Sequence, residues 1–159
     1  MDAGRLAVLR AEVAKQLEVI DKIYRRIKER RKAEDVVHLE SLGYQLHNLY
    51  CAFEDLFKIV ARFFENEVAD KARYHAELLR RMTLHIKGVR PALITEETAR
   101  LLDSLRAFRH FFRHAYTYEL DPRKLAVVLE DALKLEERYK KEVDRFLQLI
   151  ESETRRGGE

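Results

Sequence analysis

The scarcity of turn-forming residues limits what this chain can fold into. Only 5 Gly and 2 Pro occur among its 159 residues, whereas an average chain carries about 12% of the two together. Sandwiches and barrels need many tight turns, and Gly and Pro supply most of them. Hydrophobic residues make up 47% of the chain, enough for a core, so wholesale disorder is excluded as well. The composition therefore predicts an all-α fold built from a few long helices.

Hydrophobic spacing divides the chain into four or five amphipathic helices. Apolar residues recur every three or four positions, the spacing of a helix with one buried face. The predicted helices cover residues 4–31, 36–64, 71–87, 95–118 and 122–151. Helix starts are indicated by Asp70, Thr95, and Asp121 followed by Pro122. Gly43 lies inside the second helix, which costs about 1 kcal/mol unless close packing requires it. We expect one antiparallel four- to five-helix bundle over residues 1–153, with 154–159 as a frayed tail.

Composition also limits the cellular compartments and the binding partners that the protein is expected to have. The 31 Lys+Arg and 28 Asp+Glu residues leave a net charge of +3, too small to require a nucleic-acid partner by itself. The single cysteine, Cys51, cannot form an internal disulfide, so nothing indicates an oxidising compartment. The segment from Met1 to Lys15 is charged, unlike a signal peptide, and no apolar stretch approaches the roughly 18 residues that span a bilayer. We expect a cytoplasmic protein without a membrane partner.

One window, SLRAFRHFFRHAYTY (Ser104–Tyr118), combines basic and aromatic residues and contains no acid. If it is helical, at about 100° per residue, its Phe side chains all face one way, into the core. The opposite side carries what we call the basic face: Arg106, Arg109, His110, Arg113 and His114. Tyr116 lies at one edge of this face. Solvated helix faces normally intersperse acids with their cations, so a gap of 15 residues without an acid is unusual on one helix.

Residue types leave three interpretations of the basic face open. It is a solvated polar face, or it holds a metal ion through His110 and His114, spaced i and i+4 on one helix turn. The metal site needs a third ligand and tolerates neighbouring cations badly, and Arg109 and Arg113 flank both histidines. In the third interpretation the arginines bind a polyanion and a histidine transfers protons, because Arg pairs well with phosphate and His titrates near neutral pH. The three interpretations predict different partners: water, a metal ion or a polyanion.

The spacing of three residues resembles the Arg-x4-His-x-Tyr signature of HepT-like toxins, which belong to the HEPN superfamily of metal-independent ribonucleases. Arg109, His114 and Tyr116 occupy its three positions. Other blocks resemble the same family in the same order: YQLHNLYCAFEDLF (Tyr44–Phe57), YHAELLRRM (Tyr74–Met82), Arg90-Pro91 and LRAFRHFFRHAY (Leu105–Tyr116). The resemblance extends over roughly residues 5–150.

The resemblance implies an endoribonuclease toxin of a type VII-like toxin–antitoxin pair, with no metal and no other cofactor. Its nucleophile is the ribose 2′-hydroxyl, so DNA is expected to be inert. His114 is implied as base or acid and Arg109 as the group that stabilises the charged transition state. On one helix their Cβ atoms would be roughly 10 Å apart, so Arg109 is expected to lean toward His114. His110, Arg106 and Arg113 are candidates for supporting this pair or binding RNA.

The resemblance also implies partners. One motif histidine is short of the usual acid-plus-base pair, so a two-fold homodimer is expected to bring two copies of the fourth helix around one cleft. The implied antitoxin is a minimal nucleotidyltransferase of the MNT type, which silences the toxin by attaching adenylate to Tyr116. The helical wheel places that hydroxyl at the rim of the basic face, outside the Phe core. The alternative function is a non-catalytic helical subunit that binds a nucleotidyltransferase and presents its substrate.

Other reactive or charged residues are assigned ordinary roles. Cys51 is predicted to lie in the core, since its neighbours on the helix are apolar. Packing or surface positions are predicted for His47, His75 and His85. Glu54 or Asp55 is expected to pair with an arginine of the basic face.

Overall fold

The computed structural model describes residues 1–32, 34–65, 73–117 and 119–157. Six α-helices occur in these ranges: α1 (Ala3–Glu29), α2 (Val36–Phe64), α3 (Tyr74–Arg81), α4 (Glu96–Arg113), α5 (Pro122–Glu136) and α6 (Tyr139–Arg156). A 3₁₀ turn, Ala115–Thr117, follows α4. Within the same ranges, extended pairing is limited to one isolated bridge between Ile86 and Arg90. The predicted all-α bundle is confirmed.

Side-chain caps set the starts of four helices, and at the start of α1 Asp2 accepts from the Arg5 N–H (2.8 Å). Thr95 accepts a hydrogen bond from a backbone N–H at the start of α4 (3.2 Å), and Asp121 does so for α5 (2.9 Å), both as predicted. Asp35 caps α2 in the same way (2.8 Å). Each cap satisfies an N–H that has no acceptor within its own helix. The predicted cap Asp70 lies outside the described residues.

The core is centred on α2, which buries residues on most of its sides and contacts α1, α3, α4 and α5. Aromatic packing joins it to the other helices. Tyr139 of α6 stacks on Tyr24 of α1 (ring centroids 5.8 Å apart) and meets the edge of Phe53 of α2 (5.1 Å). The Tyr24 hydroxyl donates to the carbonyl of Ala132 in α5 (2.8 Å). Four of the six helices are therefore tied together around one aromatic cluster.

Gly43 lies where α2 meets the end of α4. A Cβ at this position would stand 3.0 Å from Leu120 Cδ1 and 3.3 Å from Phe112 Cε2, closer than ordinary carbon contacts. Gly43 is thus closely packed, which explains a glycine inside a helix. The missing side chain lets the backbone of α2 come close to the end of α4.

Two predicted helix ends are wrong because distant side chains set them. The third helix ends at Arg81, and the chain then loops to Thr95. The buried Arg90 side chain donates to the carbonyls of Arg81 (2.9 Å) and Leu84 (3.0 Å), so the loop finds partners without extending the helix. The last predicted helix is broken at residues 137–138, where Arg138 donates to the Thr98 hydroxyl of α4 (3.1 Å).

The C-terminal end of the bundle also differs from the prediction. Helix α6 continues to Arg156, through residues expected to fray. Thr154 donates its hydroxyl to the carbonyl of Ile150 (2.9 Å), one turn earlier, and Ile150 is buried. The buried stripe of α6 thus extends almost to its end and holds the last turn in helical form.

Candidate functional site

Charge is distributed along α4 so that the basic residues collect at one end. Glu96 and Glu97 occupy its first turn, while His110 and Arg113 lie in its last turn. This order complements the helix dipole, which favours anions at the N-terminus and cations at the C-terminus. Buried residues, among them Leu105 and Phe108, hold the helix against the core.

The helix ends inside the Arg-x4-His-x-Tyr motif. His114 is the C-cap of α4, and its N–H bonds to the Phe111 carbonyl (3.1 Å). Arg109 therefore lies on the helix, whereas Tyr116 lies in the 3₁₀ turn beyond it. The prediction of one continuous helix to residue 118 is wrong, because the chain turns to pack Leu120 over Gly43 before α5 begins.

Arg109 lies against α2. Its Nε donates to the Cys51 Sγ at 3.3 Å, and both side chains are half-buried. This contact ties the guanidinium of Arg109 to α2, and the expectation that Arg109 leans toward His114 stays a prediction. Cys51, predicted to lie in the core, instead lines the contact between α2 and the basic face.

The rest of the basic face is open to solvent, with one exception. His110, Arg113 and His114 are exposed, and the two imidazole rings meet edge to face with centroids 5.0 Å apart. Arg106 is half-buried and pairs with Asp103 (2.8 Å), an acid immediately before the acid-free window. The basic face thus has one acidic neighbour, Asp103, which lies just outside the acid-free window.

Tyr116 is the most exposed of the large hydrophobic side chains among the described residues. It is 89% exposed, so the expectation that it avoids the Phe core is confirmed. It stands at the edge of a groove of about 570 Å³ between α2, α4 and α5. The apolar walls of the groove include Val36, Leu39, Phe112, Leu120 and Pro122. Arg113 lines the same groove, together with Glu40 and Glu119.

His47 of α2 belongs to this site, which sequence analysis missed. Its ring packs on Phe112 of α4 (centroids 5.3 Å apart), and its Nε2 lies 4.0 Å from the Cys51 Sγ. Burial lowers the pKa of His47 below the ordinary 6.5, and the charges of Arg109 and Arg113 lower it further. The sequence offered one signal for His47, because it lies four residues before Cys51 and so shares a face of the second predicted helix with it.

The acids of α2 do not pair with the basic face. Glu54 is buried and accepts a hydrogen bond from His75 Nδ1 of α3 (2.7 Å), with Lys58 at 3.8 Å. Asp55 also lies 3.8 Å from Lys58. The predicted pairing of Glu54 or Asp55 with an arginine of that face is therefore wrong, because α3 and α2 itself supply the partners.

The hydroxyl of Tyr50 is influenced by the charges of both Glu54 and the basic face. It is buried, and no hydrogen-bond partner is found for it among the described residues. Burial raises the pKa of Tyr50, the charge of Glu54 raises it further, and the charges of Arg106 and Arg109 act in the opposite direction. Tyr50 is therefore a neutral phenol at physiological pH.

Comparison with known families decides the classification. A model of the HepT-like protein family matches residues 41–150, more than half of the chain. The chain belongs to the HepT-like protein family. Searches of curated proteins and of solved structures gave no match. The matched segment of this HepT-like protein runs from α2 into α6 and includes Arg109, His114 and Tyr116.

Family membership makes this a HEPN-type, toxin-like protein, in a family associated with nuclease toxins. Across the described residues of this HepT-like protein, no group of three or more His, Cys, Asp or Glu side chains is placed to hold a metal ion. The described helices include none that is long and apolar enough to cross a bilayer.

Proposed function

We propose that this HepT-like protein is a metal-independent endoribonuclease and the toxin of a type VII-like toxin–antitoxin pair. The observation that carries the proposal is the uncompensated charge at the end of α4. Within the described ranges, Arg109 and Arg113 have no acidic partner within 4.0 Å, and the exposed His110 and His114 lie beside them. Arginines of this kind bind phosphate oxygens, and histidines exchange protons near neutral pH.

In the proposed reaction a base removes the proton of the ribose 2′-hydroxyl, whose oxygen then attacks the adjacent phosphorus. The bond to the 5′-oxygen breaks as an acid protonates the leaving oxygen, giving a 2′,3′-cyclic phosphate and a 5′-hydroxyl end. The guanidinium of Arg109 stabilises the extra negative charge of the phosphorane. His114 supplies one of the two proton transfers.

The activity test compares variants of residues within and outside the site. The purified protein is expected to cleave RNA in the presence of EDTA and to leave DNA of the same sequence intact. Arg109→Ala and His114→Ala should abolish cleavage without changing helicity. The matched controls are Arg100→Ala, an exposed arginine in the N-terminal half of α4, and His85→Ala, an exposed loop histidine. Full activity in His114→Ala would refute the assignment of this site.

A homodimer is part of the proposal. Tyr44 and Phe111 are 54% and 40% exposed, and their chain neighbours Gly43 and Phe112 pack together at the junction of α2 and α4. Exposed aromatic side chains of this kind are enriched in protein interfaces. A second copy seated there would place two basic faces beside one RNA-binding cleft. Sedimentation at micromolar concentration should show a dimer in the wild type and a monomer in Tyr44→Glu.

The proposed regulation acts through Tyr116. An MNT-type nucleotidyltransferase would transfer adenylate from ATP: the phenol oxygen attacks the α-phosphorus, pyrophosphate leaves, and the phenol proton passes to solvent. The new phosphate would lie beside Arg113, which lines the same groove, and would neutralise charge that RNA needs. Incubation with ATP, magnesium and the partner should add the mass of one or more AMP units and stop RNA cleavage.

Variants of two tyrosines test this assignment. Tyr116→Phe should escape modification, whereas Tyr44→Phe, which also removes an exposed hydroxyl, should not. A mass increase that persists in Tyr116→Phe would transfer the assignment to another hydroxyl, such as that of Tyr118, which lies outside the described residues.

One observation favours the alternative function, a non-catalytic subunit that presents a substrate to a nucleotidyltransferase. The Nε of Arg109 is engaged by Cys51 of α2. If this contact persists with RNA, the protein should form a stable complex with the nucleotidyltransferase and show no cleavage in its absence.

A further inference from the structure

His47 stands beside the motif without belonging to it. It lies on α2, faces the turn of α4 that contains Arg109 and Arg113, and packs its ring on Phe112. The Cys51 Sγ lies between its Nε2 (4.0 Å) and the Arg109 Nε (3.3 Å). A phosphate held by Arg109 would therefore lie within a short distance of an imidazole other than that of His114.

Building on the proposed ribonuclease activity, we propose that His47 is the general base of the reaction and His114 its general acid. In this assignment one chain carries a candidate for each of the two proton-transfer groups. The His47 Nε2 takes the proton of the 2′-hydroxyl as its oxygen attacks phosphorus. His114 gives its proton to the departing 5′-oxygen, and the two histidines return to their starting states through water.

The tautomer of His47 suits a base. Its Nδ1 lies 3.3 Å from the Asn48 Oδ1, an acceptor, and in the tautomer that donates to this oxygen Nδ1 carries the ring proton. The lone pair then resides on Nε2, the nitrogen on the side of Cys51 and Arg109. The ring is half-buried against Phe112, which fixes its orientation.

The charges around His47 favour its neutral form. Burial has the largest effect on the pKa of His47 and lowers it, the hydrogen bond to Asn48 raises it, and the guanidiniums of Arg109 and Arg113 on α4 lower it. Like charges disfavour protonation, and burial does the same, so the pKa of His47 lies below 6.5. An imidazole that is unprotonated at pH 7 and stands next to a phosphate-binding arginine meets the requirements of a base.

A substrate with a modified leaving group separates the two roles. In an RNA dinucleotide whose bridging 5′-oxygen is replaced by sulfur, the thiolate departs without protonation, so the acid becomes dispensable. His114→Ala should recover cleavage of this substrate, whereas His47→Gln should remain about 10²- to 10⁴-fold below wild type on both substrates, the usual loss when a base is removed. His85→Gln, at an exposed histidine, is the matched control.

Two further measurements guard against a merely structural effect. The acid limb of the pH profile of kcat/KM should lie below pH 6.5 in wild type and vanish in His47→Gln, with KM little changed. In the wild type, the His47 ring signal in an NMR titration should shift when a 2′-deoxy dinucleotide is added, because the probe occupies the site without reacting.

The outcomes discriminate between this inference and the proposed function. Cleavage of ordinary RNA that is lost in His114→Ala but unchanged in His47→Gln overturns the base assignment alone. If His47→Gln cleaves the sulfur substrate and His114→Ala does not, then His47 is the acid and His114 the base, which overturns the base assignment. No cleavage by the wild type overturns both proposals.

Discussion

Arg90 provides a direct test of how the loop between α3 and α4 is held. Its side chain is 0% exposed and pairs with the buried carboxylate of Glu65 at the end of α2. The same guanidinium donates to the carbonyls of Arg81 (2.9 Å), Leu84 (3.0 Å) and Pro91 (3.1 Å). One buried side chain therefore donates to four acceptors from three segments of the chain.

Arg90→Met removes the charge and keeps much of the volume. Removing one partner of a buried ion pair costs about 3–5 kcal/mol. Arg81 remains 3.4 Å from the second Glu65 oxygen and offsets part of the loss, so we expect about 3 kcal/mol in the free energy of unfolding. Arg90→Lys should lose about 1–2 kcal/mol, because an ammonium has three donors and no planar fork.

Urea unfolding followed by far-UV circular dichroism measures these differences, provided that the m-value is unchanged. The double variant Arg90→Met/Glu65→Met should lie closer to wild type than Arg90→Met, since neither charge is then left alone. The reasoning is refuted if Arg90→Met loses less than about 1 kcal/mol, or if the double variant is the less stable of the two.

Three other predictions concern stability. Gly43→Ala should lower the melting temperature, because a Cβ 3.0 Å from Leu120 outweighs the gain of about 1 kcal/mol in helix propensity; a higher melting temperature would contradict the packing argument. The folded protein holds the pKa of His47 below 6.5, so the unfolded chain binds more protons below that pH. The free energy of unfolding from urea titrations should therefore fall as the pH drops below 6.5, and it should fall less in His47→Gln. His75→Ala should cost about 1–3 kcal/mol in the same assay, because it removes the hydrogen-bond donor of the buried Glu54; an unchanged midpoint would show that Lys58 suffices.

Helix content and the starts of α1, α2, α4 and α5 could be predicted because their causes are local. Apolar spacing defined α1 and α2, and the caps Thr95 and Asp121 act within three residues of their acceptor positions. Helix ends could not be predicted where their causes are distant. Arg90 terminates α3 across nine residues, and Arg138 reaches Thr98 across forty.

The features of the candidate site also divide into those with local causes, which could be predicted, and those with distant causes, which could not. The motif spacing identified Arg109, His114 and Tyr116, and the family match covers all three. The direction of the Arg109 side chain could not be predicted, because its partner Cys51 is 58 residues away along the chain. His47 was missed for the same reason, since its role depends on which face of α4 packs against α2.

The end of α4 at residue 113 separates the motif into two parts with different backbone protection. The amide hydrogens before it are bonded within a helix that packs on the core, and those of residues 115–117 belong to a single exposed 3₁₀ turn. Exchange with deuterium should be slow in the first part and fast in the second, since it follows the free energy of local opening. Isotope labelling can therefore monitor an event at Tyr116 separately from any loosening of the bundle that carries Arg109.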